Sequence, residues 1–380
     1  MLKPSIRTKI WYLFLNHGLY FLALYVLVIT AFIIILGKLF IDGFLGGYYT
    51  ADSYIYLNAS YNPFDNTVSQ IPYSYRILTP FLVYILPIDH FLGFILINLL
   101  GFVLTGILFY YYLKLIEFEP QICLIGVLIL LLSPIMVYTL YNIYLVDCLE
   151  YFLLLMSFYA ILKKDNKIFI IFTTLGIINK DAALLAIPLY FLNNVHTKEL
   201  MHTIKSTIIV SILPLTAFLI IKYYFGGSAG YFSIANFEYL EELITFHYRD
   251  GTPIIWQIYT PFGLVSFLFL FNLITNRIKS TYLKRSLYLL PFILFLYMMC
   301  DIPRATFLAF PIIIPIGLYI FKTSISMKYV EVFFSGYVIL VFLVLSGYAN
   351  INFAARDLIV IAFDMLILSI LLIKSICHNL

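Results

Sequence analysis

Leu19–Leu36 reads LYFLALYVLVITAFIIIL, eighteen residues without one charged side chain. Wound as a helix at ~1.5 Å per residue, this stretch crosses most of a hydrocarbon layer ~30 Å thick. Lys3, Arg7 and Lys9 precede it. It is too long for a cleavable signal peptide, and too poorly followed by small residues, so it reads as a retained first span. Apolar runs recur outward from it, near 91–113, 121–140, 149–162, 168–179, 182–192, 207–223, 260–274, 286–300, 305–321, 329–348 and 357–376. With the first, near 19–39, they predict about twelve transmembrane helices. The three runs between 149 and 192 fall short of the ~17 residues that a full crossing needs, and read as tilted, broken or partly re-entrant.

The apolar residues run on continuously instead of alternating with polar ones, which argues against a barrel. In lipid the backbone must then satisfy its own polar groups within helices. The expected fold class is therefore an all-α polytopic membrane protein, a single transmembrane domain over 1–380. Composition agrees: 63% of the residues are hydrophobic and 11% charged, against roughly 25% charged in soluble domains. A water-soluble protein is excluded. Cys123, Cys148, Cys300 and Cys377 are too few and too scattered for a disulfide framework or a CxxC metal site, although Cys148 and Cys300 could pair.

Lys and Arg collect in short cytoplasmic loops. Twelve spans with both termini inside put sixteen of the 23 basic residues, with five acids, on the inner side, a net of +11. Seven bases and thirteen acids fall on the outer side, a net of −6, and Asp364 lies within the last span. Ionisable groups that could act together are thus expected at the outer face of a cell membrane. Two outer segments exceed simple connectors. The first, 40–90, carries YYTADSYIYLNASYNPFDN and then the Pro-bounded apolar piece IPYSYRILTPFLVYILP, expected as a juxtamembrane helix. The second, 224–259, contains NFEYLEELITFHYRD, with Asn236 as N-cap of a short surface helix.

Asp52 lies just past the first span, beside Tyr54 and Tyr56. A carboxylate partly shielded from water suits a general base, while the plain alternative is a solvated loop acid. Arg76 stands where the apolar helix should begin, able to meet head groups or a phosphate. Asp147 and Glu150, three apart, share one helix face and could orient a substrate or hold a divalent cation such as Mg or Mn. Lys180 and Asp181 separate two short apolar segments, and a near-membrane Lys requires a partner. Asp301 and Arg304 form a second acid–base pair at an outer helix junction. His247 and Arg249, beside Asp250, could act as acid, base or acceptor contact. Asn58, Ala59 and Ser60 form an N-x-S sequon, and the many tyrosines read as an interface belt.

The order of these elements, an early first-loop Asp, then PYSYRILTP, then NKDAAL, then DIPR, resembles the GT-C superfamily of multi-span glycosyltransferases, and in particular its small prokaryotic members. The resemblance implies a sugar donor linked to polyprenyl phosphate, used at the outer leaflet. Under it Asp52 matches the catalytic acid, Lys180 the basic residue before the sixth span, Arg304 the base after the later acid, and Arg76 the YR element. Many members carry a doubled acid where this chain has Ala51 before Asp52, and many have a C-terminal soluble domain. A base, with cations to hold the departing phosphate, is chemically sufficient for such a transfer, which predicts inversion in one displacement. The acceptor could be a glycan, a lipid or a protein; membrane lipid is the other expected partner, and no nucleic acid is. A lipid-linked glycan transporter or flippase, an outer-face polymerase or ligase, and a non-catalytic assembly subunit are the competing readings.

Overall fold

The computed structural model describes residues 6–40, 51–65, 73–195, 199–225, 261–297 and 302–323. All its regular elements there are helices. In chain order they are α1 (Ile6–Phe40), α2 (Ala51–Tyr61), a 3₁₀ turn (Tyr73–Tyr75), α3 (Leu78–Ile85), α4 (His90–Leu115), α5 (Pro120–Leu131), α6 (Pro134–Tyr141), α7 (Asp147–Lys163) and α8 (Asn166–Asn179). A second 3₁₀ turn (Asp181–Leu185) leads to α9 (Ala186–Asn194) and α10 (Leu200–Phe225). After it come α11 (Leu264–Ile274), α12 (Thr281–Ser286), a 3₁₀ turn (Leu287–Leu289), α13 (Leu290–Tyr297), α14 (Ile302–Phe307) and α15 (Phe310–Thr323).

Local chemistry sets the boundaries. Asp89 caps α4 by accepting from the Phe91 amide at 2.9 Å, which satisfies a donor that the helix itself cannot. Pro120 and Pro134 open α5 and α6, where a missing N–H costs nothing. Lys164 ends α7 in the left-handed region (φ 58°), with the Asp165 amide reaching back to Ala160 at 3.0 Å. Asp165 then caps α8 through the Lys167 and Ile168 amides at 3.0 and 3.1 Å. Consecutive capping devices make α7 and α8 an antiparallel hairpin.

The core runs through α4, α5, α7 and α8, with α15 packed against α5 and α11 packed against α15. Gly101 permits the central contact: a Cβ there would stand 2.8 Å from the Cys148 carbonyl carbon, so α4 and α7 meet backbone to backbone. Buried amides tie other helices. Asn98 donates to the Ile143 carbonyl at 2.6 Å, and Asn272 to the Ile316 and Gly317 carbonyls at 2.9 and 3.1 Å.

Among the described residues three helical stretches are long and apolar enough to cross a membrane: Gly18–Lys38, His90–Leu115 and Leu200–Phe225, with 21, 26 and 26 residues. The expected span at 121–140 is broken at Ser133–Pro134, and its halves α5 and α6 meet at 48°; taken together they would make a fourth. The three short runs become the 17-residue α7, the 14-residue α8, and a 3₁₀ turn followed by the nine-residue α9. Runs at 329–348 and 357–376 lie outside the described residues, as does 226–259 of the second outer segment. The outward face of α10 exposes Ile208, Ile209, Ile212, Leu219 and Ile220. A strip of this kind is stable against lipid tails and unfavourable against water, consistent with a membrane location.

Candidate functional site

The charged residues that matter come together at one end of the bundle, where α2 begins, α7 begins, α8 ends and α14 lies. Asp52 is in the first turn of α2, within the first outer segment. Its seat is fixed by the next residue, since Ser53 is buried and donates to the Asn142 side chain at 2.8 Å, just ahead of α7. Asp147 opens α7 and is 1% exposed. Lys180 leaves α8 with extended backbone (φ −162°) and donates from Nζ to Asp147 Oδ1 at 2.7 Å.

Arg304 links the two carboxylates. Its Nη2 donates to Asp52 Oδ2 at 3.1 Å, and its Nη1 stands 3.5 Å from Asp147 Oδ2. The planar fork of a guanidinium can serve two acceptors at once, which an ammonium does not do in a fixed geometry. The other oxygen of Asp52 accepts from Tyr73 Oη at 2.6 Å. Burial, and then this donation to Asp52, push the Tyr73 phenol well above the usual tyrosine range, so it remains a proton donor.

Arg76 lies in a tyrosine frame. It donates from Nη1 to Tyr56 Oη, and its guanidinium is 5.4 Å from the Tyr73 ring centre and 6.0 Å from that of Tyr56. The two rings meet edge to face at 5.5 Å. Among the described residues no carboxylate pairs with Arg76, so it is the one cation of the group held by phenols instead of by an anion. Arg76, Lys180 and Arg304 against Asp52 and Asp147 leave this ionised set with one surplus positive charge.

Other expected site residues separate from this group. Asp181, adjacent to Lys180 in sequence, turns outward: its side chain is 48% exposed and pairs with Lys222 at 3.4 Å, while Lys222 stands 3.5 Å from the Tyr75 ring centre. The sequence neighbours Lys180 and Asp181 are thus not a pair. Glu150 does share the buried face of α7 with Asp147, but it takes a hydrogen bond from Asn179 Nδ2 at 3.2 Å on Oε2 and has no partner on Oε1. Asp147 and Glu150 are thus engaged by different partners. Two cations already occupy Asp147, and among the described residues no cluster of three or more His, Cys, Asp or Glu forms. A divalent ion there would meet two positive charges at close range.

Asp301, His247, Arg249 and Asp364, and the proposed partner Cys300, lie outside the described residues. Cys148 is buried and donates to Thr139 at 3.1 Å. The sequon falls inside α2, where Ser60 is buried and bonds to the Leu57 carbonyl at 2.7 Å, an environment unlike the open loop that glycosylation needs. Tyr56, Tyr73, Thr79 and Asn179 join the site without having been expected there. Tyr56 had one legible signal, four residues after Asp52 on the same helical face, whereas Tyr54 points out and is exposed.

No protein-family model matches the chain, and neither a curated protein nor a solved structure does.

Proposed function

We propose that this protein is a multi-span membrane glycosyltransferase of the GT-C kind, moving a sugar from a polyprenyl-phosphate donor to an acceptor hydroxyl. In this reading the chain crosses the membrane about twelve times, both termini are cytoplasmic, and Asp52 works at the outer face on a cell-envelope glycan. The observation that carries it is Arg304 held between Asp52 and Asp147, partners 252 and 157 residues away in sequence. A phosphate competes well for such a guanidinium, because it offers the same bidentate geometry as a carboxylate with more charge.

The steps follow from charge balance. The donor phosphate enters beside Arg76, whose guanidinium is framed by Tyr56 and Tyr73 among the described residues, and draws Arg304 from Asp52. Release from Arg304 frees Asp52 Oδ2 to accept a proton. The acceptor hydroxyl gives its proton to Asp52 as its oxygen bonds to the anomeric carbon, and the bond from that carbon to the phosphate oxygen breaks. Polyprenyl phosphate leaves with the bonding electrons, met by Arg76, Lys180 and Arg304. One displacement inverts the anomeric centre. Tyr73 holds Asp52 Oδ1 throughout, which directs Oδ2 toward the acceptor. No step requires a metal, since the three cations supply the charge.

The test uses the purified protein in lipid nanodiscs with a radiolabelled polyprenyl-phosphate hexose and a panel of lipid, glycan and peptide acceptors. Transfer that falls about 10²-fold or more in Asp52→Asn supports the reading, on the scale usual for a general base. Full transfer by that variant removes Asp52 from its role. Movement of the labelled lipid between leaflets without a new glycosidic bond would instead make the protein a flippase.

A further inference from the structure

Beside the ion pairs lies a second arrangement, built on a buried amide, that makes no hydrogen bond or salt bridge to the side chains of Asp52, Arg76, Asp147, Lys180 or Arg304 among the described residues. Asn179 is fully buried and directs its amide to three groups on two other elements, α3 and α7 with its N-cap. Its Oδ1 accepts from Thr79 Oγ1 of α3 at 2.6 Å, and its Nδ2 donates to the Val146 carbonyl at 3.0 Å and to Glu150 Oε2 of α7 at 3.2 Å. A backbone bond runs alongside, from the Ile77 amide to the Ile178 carbonyl at 3.0 Å. Every one of these contacts sits close in sequence to a charged residue of the site. Ile77 follows Arg76 and Thr79 lies three residues after Arg76; Val146 precedes Asp147 and Glu150 is one turn after it; Asn179 precedes Lys180.

We infer that Thr79, Asn179 and Glu150 form a buried clasp of positioning residues that holds Arg76, Lys180 and Asp147 in register for a lipid-linked phosphate. This inference rests on the phosphate-binding role given above to Arg76 and Lys180. Its physical basis is that the three cations and two acids come from separate stretches: the first turn of α2, the link between the 3₁₀ turn and α3, the first residue of α7, the residue after α8, and α14. Nothing local fixes these stretches relative to one another, so contacts between elements must do so. A buried amide that uses both donors and its acceptor constrains three elements at once, because leaving any of these groups unpaired away from water is costly. The bare Oε1 of Glu150 marks the place where that satisfaction is incomplete. The carboxyl is therefore retained for what Oε2 does toward Asn179, a task the carbonyl oxygen of a Gln would also perform.

The experiment compares Thr79→Val with Thr79→Ser and Glu150→Leu with Glu150→Gln in nanodiscs, reading affinity for polyprenyl phosphate and amide hydrogen exchange. Thr79→Val and Glu150→Leu should weaken the probe about tenfold, the low end for residues that orient binding groups. Thr79→Ser and Glu150→Gln should stay within twofold of wild type. Exchange in Thr79→Val should rise in 146–150 and 176–183 as well as in 73–80, and Thr79→Ser should reverse it. Wild-type protein that fails to bind polyprenyl phosphate overturns the function proposed above, and the exchange pattern still decides whether the clasp exists. Exchange confined to 73–80, or equal probe affinity in Val and Ser variants, overturns the clasp.

Discussion

The two ends of the helical bundle handle charge differently. At the end that carries Asp52, cations meet carboxylates in a largely buried network: Asp147 is 1% exposed and takes both Lys180 and Arg304. At the opposite end cations meet backbone and rings. Lys322 donates to the Glu117 carbonyl at 2.9 Å and stands 5.7 Å from the Phe118 ring centre, Arg285 donates to the Asn193 carbonyl at 2.8 Å, and Arg277 stands 5.0 Å from the Phe271 ring centre. Carbonyls at helix ends need donors in any case, so the second end is an ordinary capping solution. A buried ion network is not: desolvating its members costs several kcal/mol per ion, and attraction recovers this only when the geometry is good. The network end carries an energetic cost that simple anchoring would avoid, which is the physical reason for treating it as the candidate site.

The largest expected break in this contrast is Asp147→Ala. It strands Lys180 and half of Arg304 without their anion, and should lower stability by roughly 3–5 kcal/mol. Thermal or denaturant unfolding in detergent measures it, with Arg285→Ala as the control at the other end, expected near 1 kcal/mol, about the worth of one hydrogen bond. A loss no larger than that of the control would mean that the network is not the buried unit described.

Arg304→Lys comes next. It keeps the charge but loses the fork that reaches both carboxylates, at a cost of roughly 1.5–3 kcal/mol. A double-mutant cycle with Asp52→Asn sharpens the point, for coupling between the two should be clearly non-zero. Independence of these sites would dissolve the bridge.

Gly101→Ala tests how the network is mounted. Its methyl group would press on the backbone of Cys148, next to Asp147, and should cost about 1–3 kcal/mol, as overpacking does. Because the clash is with backbone, transfer activity should fall together with the melting temperature. A neutral Gly101→Ala would show that α4 and α7 have room to part.

The smallest effect is expected at Lys222 and Asp181, a pair beside the network in which the carboxylate is half exposed. Lys222→Met should change stability by less than about 1 kcal/mol, and 1 M salt should remove most of the coupling with Asp181. The Asp147–Lys180 coupling should survive the same salt. If both respond alike, burial does not distinguish the two pairs.

Particular residues show where sequence reading succeeds. Continuous apolar runs make helices evident, because only intrahelical bonding satisfies a backbone in lipid. Arg76, Lys180 and Arg304 stood out as cations at the edges of such runs. The partner of Lys180 did not: adjacency suggested Asp181, but extended backbone at Lys180 sends consecutive side chains to opposite sides, one into the core and one out. Tyr73 was hidden among 33 tyrosines, most of which have reason enough to sit at an interface. Asn179 and Thr79 carry no charge and no motif, so nothing along the chain marks them.

Composition and the spacing of apolar stretches were enough to establish an all-helical protein with helices suited to a membrane, since transfer out of water depends on residue type summed over a segment. They were also enough to nominate the charged residues, which are conspicuous in such an oily background. Which charges meet was decided only by tertiary structure. Pairing depends on helix rotation, on where α7 starts against Gly101, and on the turn after Asn179, and these are set by contacts between residues up to 252 positions apart.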